Sequence, residues 1–247
     1  MVLIMKFTIS GREKPQEEGI IPYLQRVHKS IALADIDSIF AFTEQSTLYG
    51  GRRFAGPELL ADDIQALYDN SIGYRIPFTN NYVEVDEYNR NILFLDKYHR
   101  SGNSIILVND QLSRWIKEDF PEFKIEASII KNLNDKKKID ESLELYDTVV
   151  LPTSLNEDLE FLDKLDEKHR ITLFAFAGCG VNCPSKVCYP SISKFNKFNG
   201  YTDFECSRTL KEREFRGKVT FDLSIYEKMG FSRFKLIEPS GFVTIAR

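Results

Sequence analysis

Residues 104–129 read SIILVNDQLSRWIKEDFPEFKIEASI, and this stretch decides the fold class. Ser104 to Asn109 is a nearly unbroken apolar run, as in a strand buried on both faces. Asn109-Asp110 supplies a helix start, and Leu112, Trp115 and Ile116 then recur at helical spacing. Pro121 stops that helix, and Lys124 to Ile129 opens a second apolar run. A helix between two buried strands carries the chain back to its starting end, so the strands lie parallel.

The same unit recurs on either side. Val2–Ile9, Asp37–Thr43 (DSIFAFT) and Gly73–Thr79 (GYRIPFT) precede it; Asp147–Leu151 (DTVVL), Ile171–Phe176 (ITLFAF) and Phe234–Ile237 (FKLI) follow. Helical patterns lie between them over 57–70, 88–99 and 156–165. About eight strands and seven helices in 247 residues predict an α/β fold, a single TIM-like (β/α)8 barrel. No G-x-G-x-x-G or P-loop supports an open sheet instead. Residues 1–247 read as one domain, with no linker long enough to divide them.

Hydrophobic residues make up 43% of the chain, enough for a large core, and the net charge of −4 gives no electrostatic footprint for nucleic acid. The start lacks a signal-peptide pattern, and no apolar run approaches the ~20 residues of a membrane span. The expected location is cytoplasmic, where thiols stay reduced.

That matters because all four cysteines fall in one irregular stretch, 178–217, directly after the seventh strand and with no strong strand or long helix of its own. The spacing is Cys179-x3-Cys183-x4-Cys188-x17-Cys206. Four soft thiolates suit a tetrahedral zinc site or an iron–sulfur cluster, catalytic or structural, and four unrelated thiols are the plain alternative. The C-terminal end of a barrel strand is where such enzymes place their chemistry. Other polar residues at strand ends are candidates too. Arg52 and Arg53, after a double glycine, could hold a carboxylate or phosphate, or be surface charges. Asn80 could line a pocket or cap the next element. Glu44 is a candidate general acid or base, and Lys235, inside FKLI, could meet an anion, pair with Glu238 or sit in another buried ion pair. No G-x-S-x-G or His-x-x-x-His occurs, and His28, His99 and His169 fall in or beside helices, so no serine or zinc peptidase is indicated.

Several passages in order resemble the collagenase-like peptidase family: GYRIPFTNN from Gly73, SIILVNDQLSRWIKEDFPEFKIEASII from Ser104, LPTSLNEDLEFLDKL from Leu151, ITLFAFAGCGVNCP from Ile171 and IYEKMGFSRFKLIEPSG from Ile225. The likeness runs from about Gly73 to Glu238. It departs where Ser185-Lys186 stands in place of an Arg and a His after Cys-Pro, and where Glu238 stands in place of an Arg. The resemblance implies a barrel whose Cys179, Cys183, Cys188 and Cys206 bind a 4Fe-4S cluster, zinc being the alternative cofactor. It implies an oxygen-independent hydroxylation or related redox step on a small aromatic or nucleobase substrate, with a related barrel subunit as a further partner. A non-catalytic barrel with structural zinc and a peptidase are the alternatives.

Overall fold

The computed structural model describes residues 4–177, 187–200, 202–207, 218–237 and 244–246. All eight expected strands are present: β1 (Lys6–Ser10), β2 (Ile36–Phe40), β3 (Gly73–Ile76), β4 (Ser104–Leu107), β5 (Lys124–Ala127), β6 (Thr148–Val150), β7 (Ile171–Ala177) and, after an additional strand β8 (Lys218–Thr220), β9 (Arg233–Leu236). Successive strands pair in parallel from β1 to β7, and β9 pairs in parallel with both β7 and β1. The sheet therefore closes on itself as an eight-stranded (β/α) barrel. β8 runs antiparallel to the upper end of β7, and β10 (Thr244–Ala246) pairs with β8 outside the closed ring.

The helices α1 (Ile20–Val27), α2 (Ala61–Asp69), α3 (Val85–Arg90), α4 (Ile92–Tyr98), α5 (Asp110–Asp119), α6 (Lys136–Leu145) and α7 (Leu159–Asp163) follow strands β1 to β6. Residues such as Ile9, Ile39, Tyr74, Ile105, Ile125, Val149 and Leu173 are fully or almost fully buried. Residues at the next positions along these strands face the barrel interior instead.

Three sequence expectations change. The helical pattern over 88–99 resolves into α3 and α4, divided at Asn91. The Asn91 amide donates to Glu87 O (2.7 Å) while its Oδ1 accepts from Ser46 Oγ (2.7 Å), so the side chain competes with the helix ladder. The first four residues of 57–70, with Pro57 and Glu58, remain outside the helix, which begins at Ala61 and carries Asp62 and Asp63 in its first turn. Within 178–217, where no long helix was expected, α8 spans Cys188–Lys197. Its buried face is Ser191, Ile192, Ser193 and Asn196, mostly polar, so it carries no apolar stripe to read. Pro190 falls in its first turn, where a missing N–H breaks no helical bond. A further helix, α9 (Leu223–Lys228), precedes β9. Among the described residues no helix is long and apolar enough to cross a membrane.

Candidate active site at the barrel mouth

Barrel interiors of this kind are usually filled with Val, Ile and Leu. Here the interior is charged. Arg75 on β3 lies 2.6 Å from Glu126 on β5 and 2.8 Å from Asp37 on β2. Arg233 on β9 reaches the same Asp37 oxygen at 3.2 Å. Thr148 and Thr172 each donate to Glu126 Oε2 at 3.1 Å. Burial alone would push the Glu126 pKa up, but Arg75, Lys235 and Arg233 outweigh it and hold the carboxyl at about 2. Asp37 is treated the same way: burial opposes ionisation, and Arg75 and Arg233 bring its pKa below the ordinary value. Two carboxylates thus meet two guanidiniums in a closed set.

Lys235 is the fifth charge. It sits level with Thr8 of β1 and Phe174 of β7, and is 5% exposed. Its Nζ lies 3.9 Å from Glu126 Oε1, too far for a hydrogen bond, and 4.6 Å from the centre of the Phe40 ring. Burial, the largest influence, and the nearby Arg75 lower its pKa to about 8 against the pull of Glu126. Glu238, the partner considered from the sequence, lies outside the described residues.

Lys235 forms the floor of a cavity of about 160 Å³ at the C-terminal mouth, with Phe40, Ile106, Thr79, Ser128 and Tyr189 among its walls. A larger cavity of about 650 Å³ opens at the other end, around Lys6, Asp37, Arg75, Lys124 and Arg233. Its central charges are already matched to one another, and Arg170 on its edge is spent on Leu143 O, Tyr146 O and Asp147 O. Size favours that end. Chemistry favours the mouth, because there a buried cation faces the opening without a bonded partner among the described residues and because catalytic groups of barrels gather at strand C-termini.

The other sequence candidates fall in distinct places. Arg52 lines the mouth, but its guanidinium is bonded in two-pronged fashion to Glu58 and stacked 3.9 Å over Phe42. Arg53 lies over Phe195 (4.4 Å) and Phe204 (4.7 Å), tying α8 to the segment after it. Glu44 pairs with Lys97 and accepts from Tyr98 OH at 3.0 Å on the outer flank, where it lines a separate groove. Asn80 is fully buried, and its amide nitrogen lies 2.7, 3.1 and 3.0 Å from the carbonyls of Thr47, Tyr49 and Ser193. Asn80 therefore docks α8 onto the loop after β2, assisted by Asn196, which donates to Tyr49 O (3.1 Å) and Arg52 O (2.9 Å).

Docked this way, α8 brings its N-terminus to the rim: Cys188 immediately precedes Tyr189, which lines the mouth. One turn further on, Ser191 Oγ accepts from Glu205 N (2.8 Å) and donates to Asp203 O (3.0 Å), so the chain leading into Cys206 returns to the start of α8. Both Cys188 and Cys206 are half-buried. Cys179 and Cys183 lie outside the described residues. Among the described residues alone, no group of three or more His, Cys, Asp or Glu side chains is arranged to hold a metal.

The barrel overlays on a solved structure of the U32 peptidase Mk0906 with a TM-score of 0.66, covering 96% of this chain and 94% of that one at 11% identity. The two share one fold. A glycerophosphodiester phosphodiesterase from Agrobacterium tumefaciens str. C58 aligns over 69% of this chain and 85% of that chain, at 9% identity and a TM-score of 0.37. No protein-family profile and no curated protein sequence matches the chain.

Sequence reading singled out Lys235 but missed the Asp37–Arg75–Glu126–Arg233 set. The signal was present: Arg75 in GYRI and Glu126 in KIEA are charges in the interior of short strands that the core covers. In a closed barrel such positions point at each other.

Proposed function

We propose that the chain is a barrel enzyme acting on a small anionic molecule held at the C-terminal mouth above Lys235, with Cys179, Cys183, Cys188 and Cys206 holding a 4Fe-4S cluster beside it. The reaction class is an oxygen-independent hydroxylation or related redox step on a small aromatic or nucleobase substrate. The observation that carries this reading is the place of Tyr189, which lines the mouth and is the chain neighbour of Cys188. The donor set fits such a centre in kind, since thiolates are the soft ligands iron–sulfur clusters take, and the Ser191 contacts return the backbone just before Cys206 to the first turns of α8, which begins at Cys188. Bound there, the cluster would supply electron transfer or Lewis acidity.

The chain's own side chains would do the rest. Lys235 places positive charge on the floor. Phe40 and Ile106 offer apolar walls to a flat ring, and Thr79 and Ser128 stand among them with hydroxyls.

Protein purified without oxygen tests the reading. It should be brown and carry about four irons and four sulfides per chain, and Cys188→Ser should lower both. One zinc per colourless chain would replace the cluster with a structural site and favour a non-catalytic, ligand-binding barrel. For the mouth, titration calorimetry with benzoate and with inorganic phosphate should show binding that Lys235→Met abolishes. Binding unchanged in that variant would remove Lys235 from the site.

A further inference from the structure

We propose that Lys235 is a nucleophilic amine that forms an imine with a small anionic carbonyl compound entering the mouth. The inference rests on the mouth being the ligand site and goes beyond it in making the attachment covalent.

Three observations converge. The first is charge. Asp37 and Glu126 are matched by Arg75 and Arg233, so these five groups carry no net charge when Lys235 is neutral and a surplus positive charge when it is protonated. The second is bonding. Glu126 Oε2 accepts from Thr148 and Thr172, its Oε1 is ion-paired with Arg75 at 2.6 Å and lies 3.9 Å from Lys235 Nζ, so no group among the described residues ties up the amine within hydrogen-bond distance. The third is access. Lys235 is buried from bulk water yet lines a cavity of about 160 Å³ open at the reactive end of the barrel. With its pKa lowered to about 8 by burial, roughly a tenth of the molecules carry the free amine at pH 7, against less than a thousandth for an ordinary lysine.

The step balances without an oxidant. The ammonium releases one proton to water at the mouth, and the nitrogen lone pair attacks the carbonyl carbon. The carbinolamine oxygen then leaves as water after protonation, giving an iminium. Ammonium plus carbonyl becomes iminium plus water, with no electrons gained or lost. The iminium restores the surplus positive charge to the barrel interior, which is why the ligand should be anionic: its own acidic group, a bond or two away, cancels that charge where no carboxylate among the described residues is left to do so.

Trapping with cyanoborohydride tests this, followed by peptide mass spectrometry. One arm uses pyruvate and the other dihydroxyacetone phosphate, which separates a carboxylate from a phosphate as the anionic group. In either arm Lys235 should gain the reduced adduct at least tenfold faster than exposed Lys137. Its labelling rate should rise between pH 7 and 8.5 and level off, whereas a surface lysine continues to climb toward pH 10. An unmodified Lys235 in both arms, or labelling no faster than Lys137, overturns the proposal. If Lys235 stays unmodified while calorimetry shows the same probes binding at the mouth, the covalent step falls and the mouth remains the ligand site. If neither occurs, both fall.

Discussion

Lys235 and Glu126 face each other across the barrel with Nζ and Oε1 3.9 Å apart, while Arg75 approaches the same oxygen to 2.6 Å. The carboxylate is thus bound to the guanidinium and only near the amine. That asymmetry separates a structural ion pair from a side chain retained for another reason.

Glu126 should be the residue whose neutralisation costs most. Glu126→Gln leaves Arg75 with one carboxylate in place of two inside a closed barrel, and the expected loss is about 3–5 kcal/mol in urea unfolding. The pH dependence has a defined sign. The folded carboxyl titrates near 2, below its unfolded value, so its contribution is complete above about pH 5 and is lost as pH falls toward 2. Wild-type stability should decline over that window, and the variant should show less of the decline.

Lys235 should behave in the opposite way. Its folded pKa of about 8 lies below the unfolded value, so the unfolded chain binds more protons between pH 8 and 10 and stability rises with pH there. At pH 7 the buried charge is a net cost. Lys235→Met, similar in size and apolar, should raise stability by about 1–3 kcal/mol at pH 7 and flatten the rise above pH 8. A stabilising substitution that abolishes ligand binding is the mark of a side chain kept for function.

Asn80→Ala should lower stability by about 2–4 kcal/mol, because several buried backbone groups lose their partner at once. Asn80→Asp should not rescue it, since a carboxylate cannot donate to the carbonyls of Thr47, Tyr49 and Ser193. Because these contacts dock α8, both variants should also weaken anion binding at the mouth in calorimetry.

Gly50→Ala should be among the least tolerated changes in the chain. A Cβ there would lie 1.8 Å from Thr79 O and 2.7 Å from Asn80 N, and both are backbone atoms. The loop after β2 cannot move off without undoing the Asn80 contacts. A loss of more than about 3 kcal/mol in thermal or urea unfolding is expected, whereas Gly102→Ala meets no atom within 4 Å and suffers only from its φ of +94°.

The barrel was legible because its signal is repeated. Runs such as SIIL and ITLFAF are short, apolar and separated by helical stretches, so an error in one does not alter the topology. The mouth was legible only in part. Lys235 stood out as a charge in an apolar strand, yet its real neighbour, Glu126, is more than a hundred positions away in the chain, and only closure of the barrel brings them together. Asn80 and Arg52 looked like ligand groups because strand ends are where such groups belong. Their donors are instead used to anchor α8 and Glu58, and no local pattern distinguishes those uses. α8 itself escaped notice because its inward face is built mostly from serines and asparagine, which dock by hydrogen bonds, and Ile192 alone among them leaves no hydrophobic period.

The pairing of β7 with β8 has one further consequence. The chain leaves the wall at Ala177 and returns at Val219, and these two residues are partners in the antiparallel ladder. The whole excursion from 178 to 218 therefore begins and ends at one spot, like a drawer with a single pair of runners. A short reverse turn could join those two points without disturbing any parallel strand pairing. Apart from that shared point, the segment is held to the barrel by the α8 contacts of Asn80, Asn196 and Arg53, so transplanting it into another barrel of this fold at the same ladder position, together with those docking residues, is a practical way to ask what it confers.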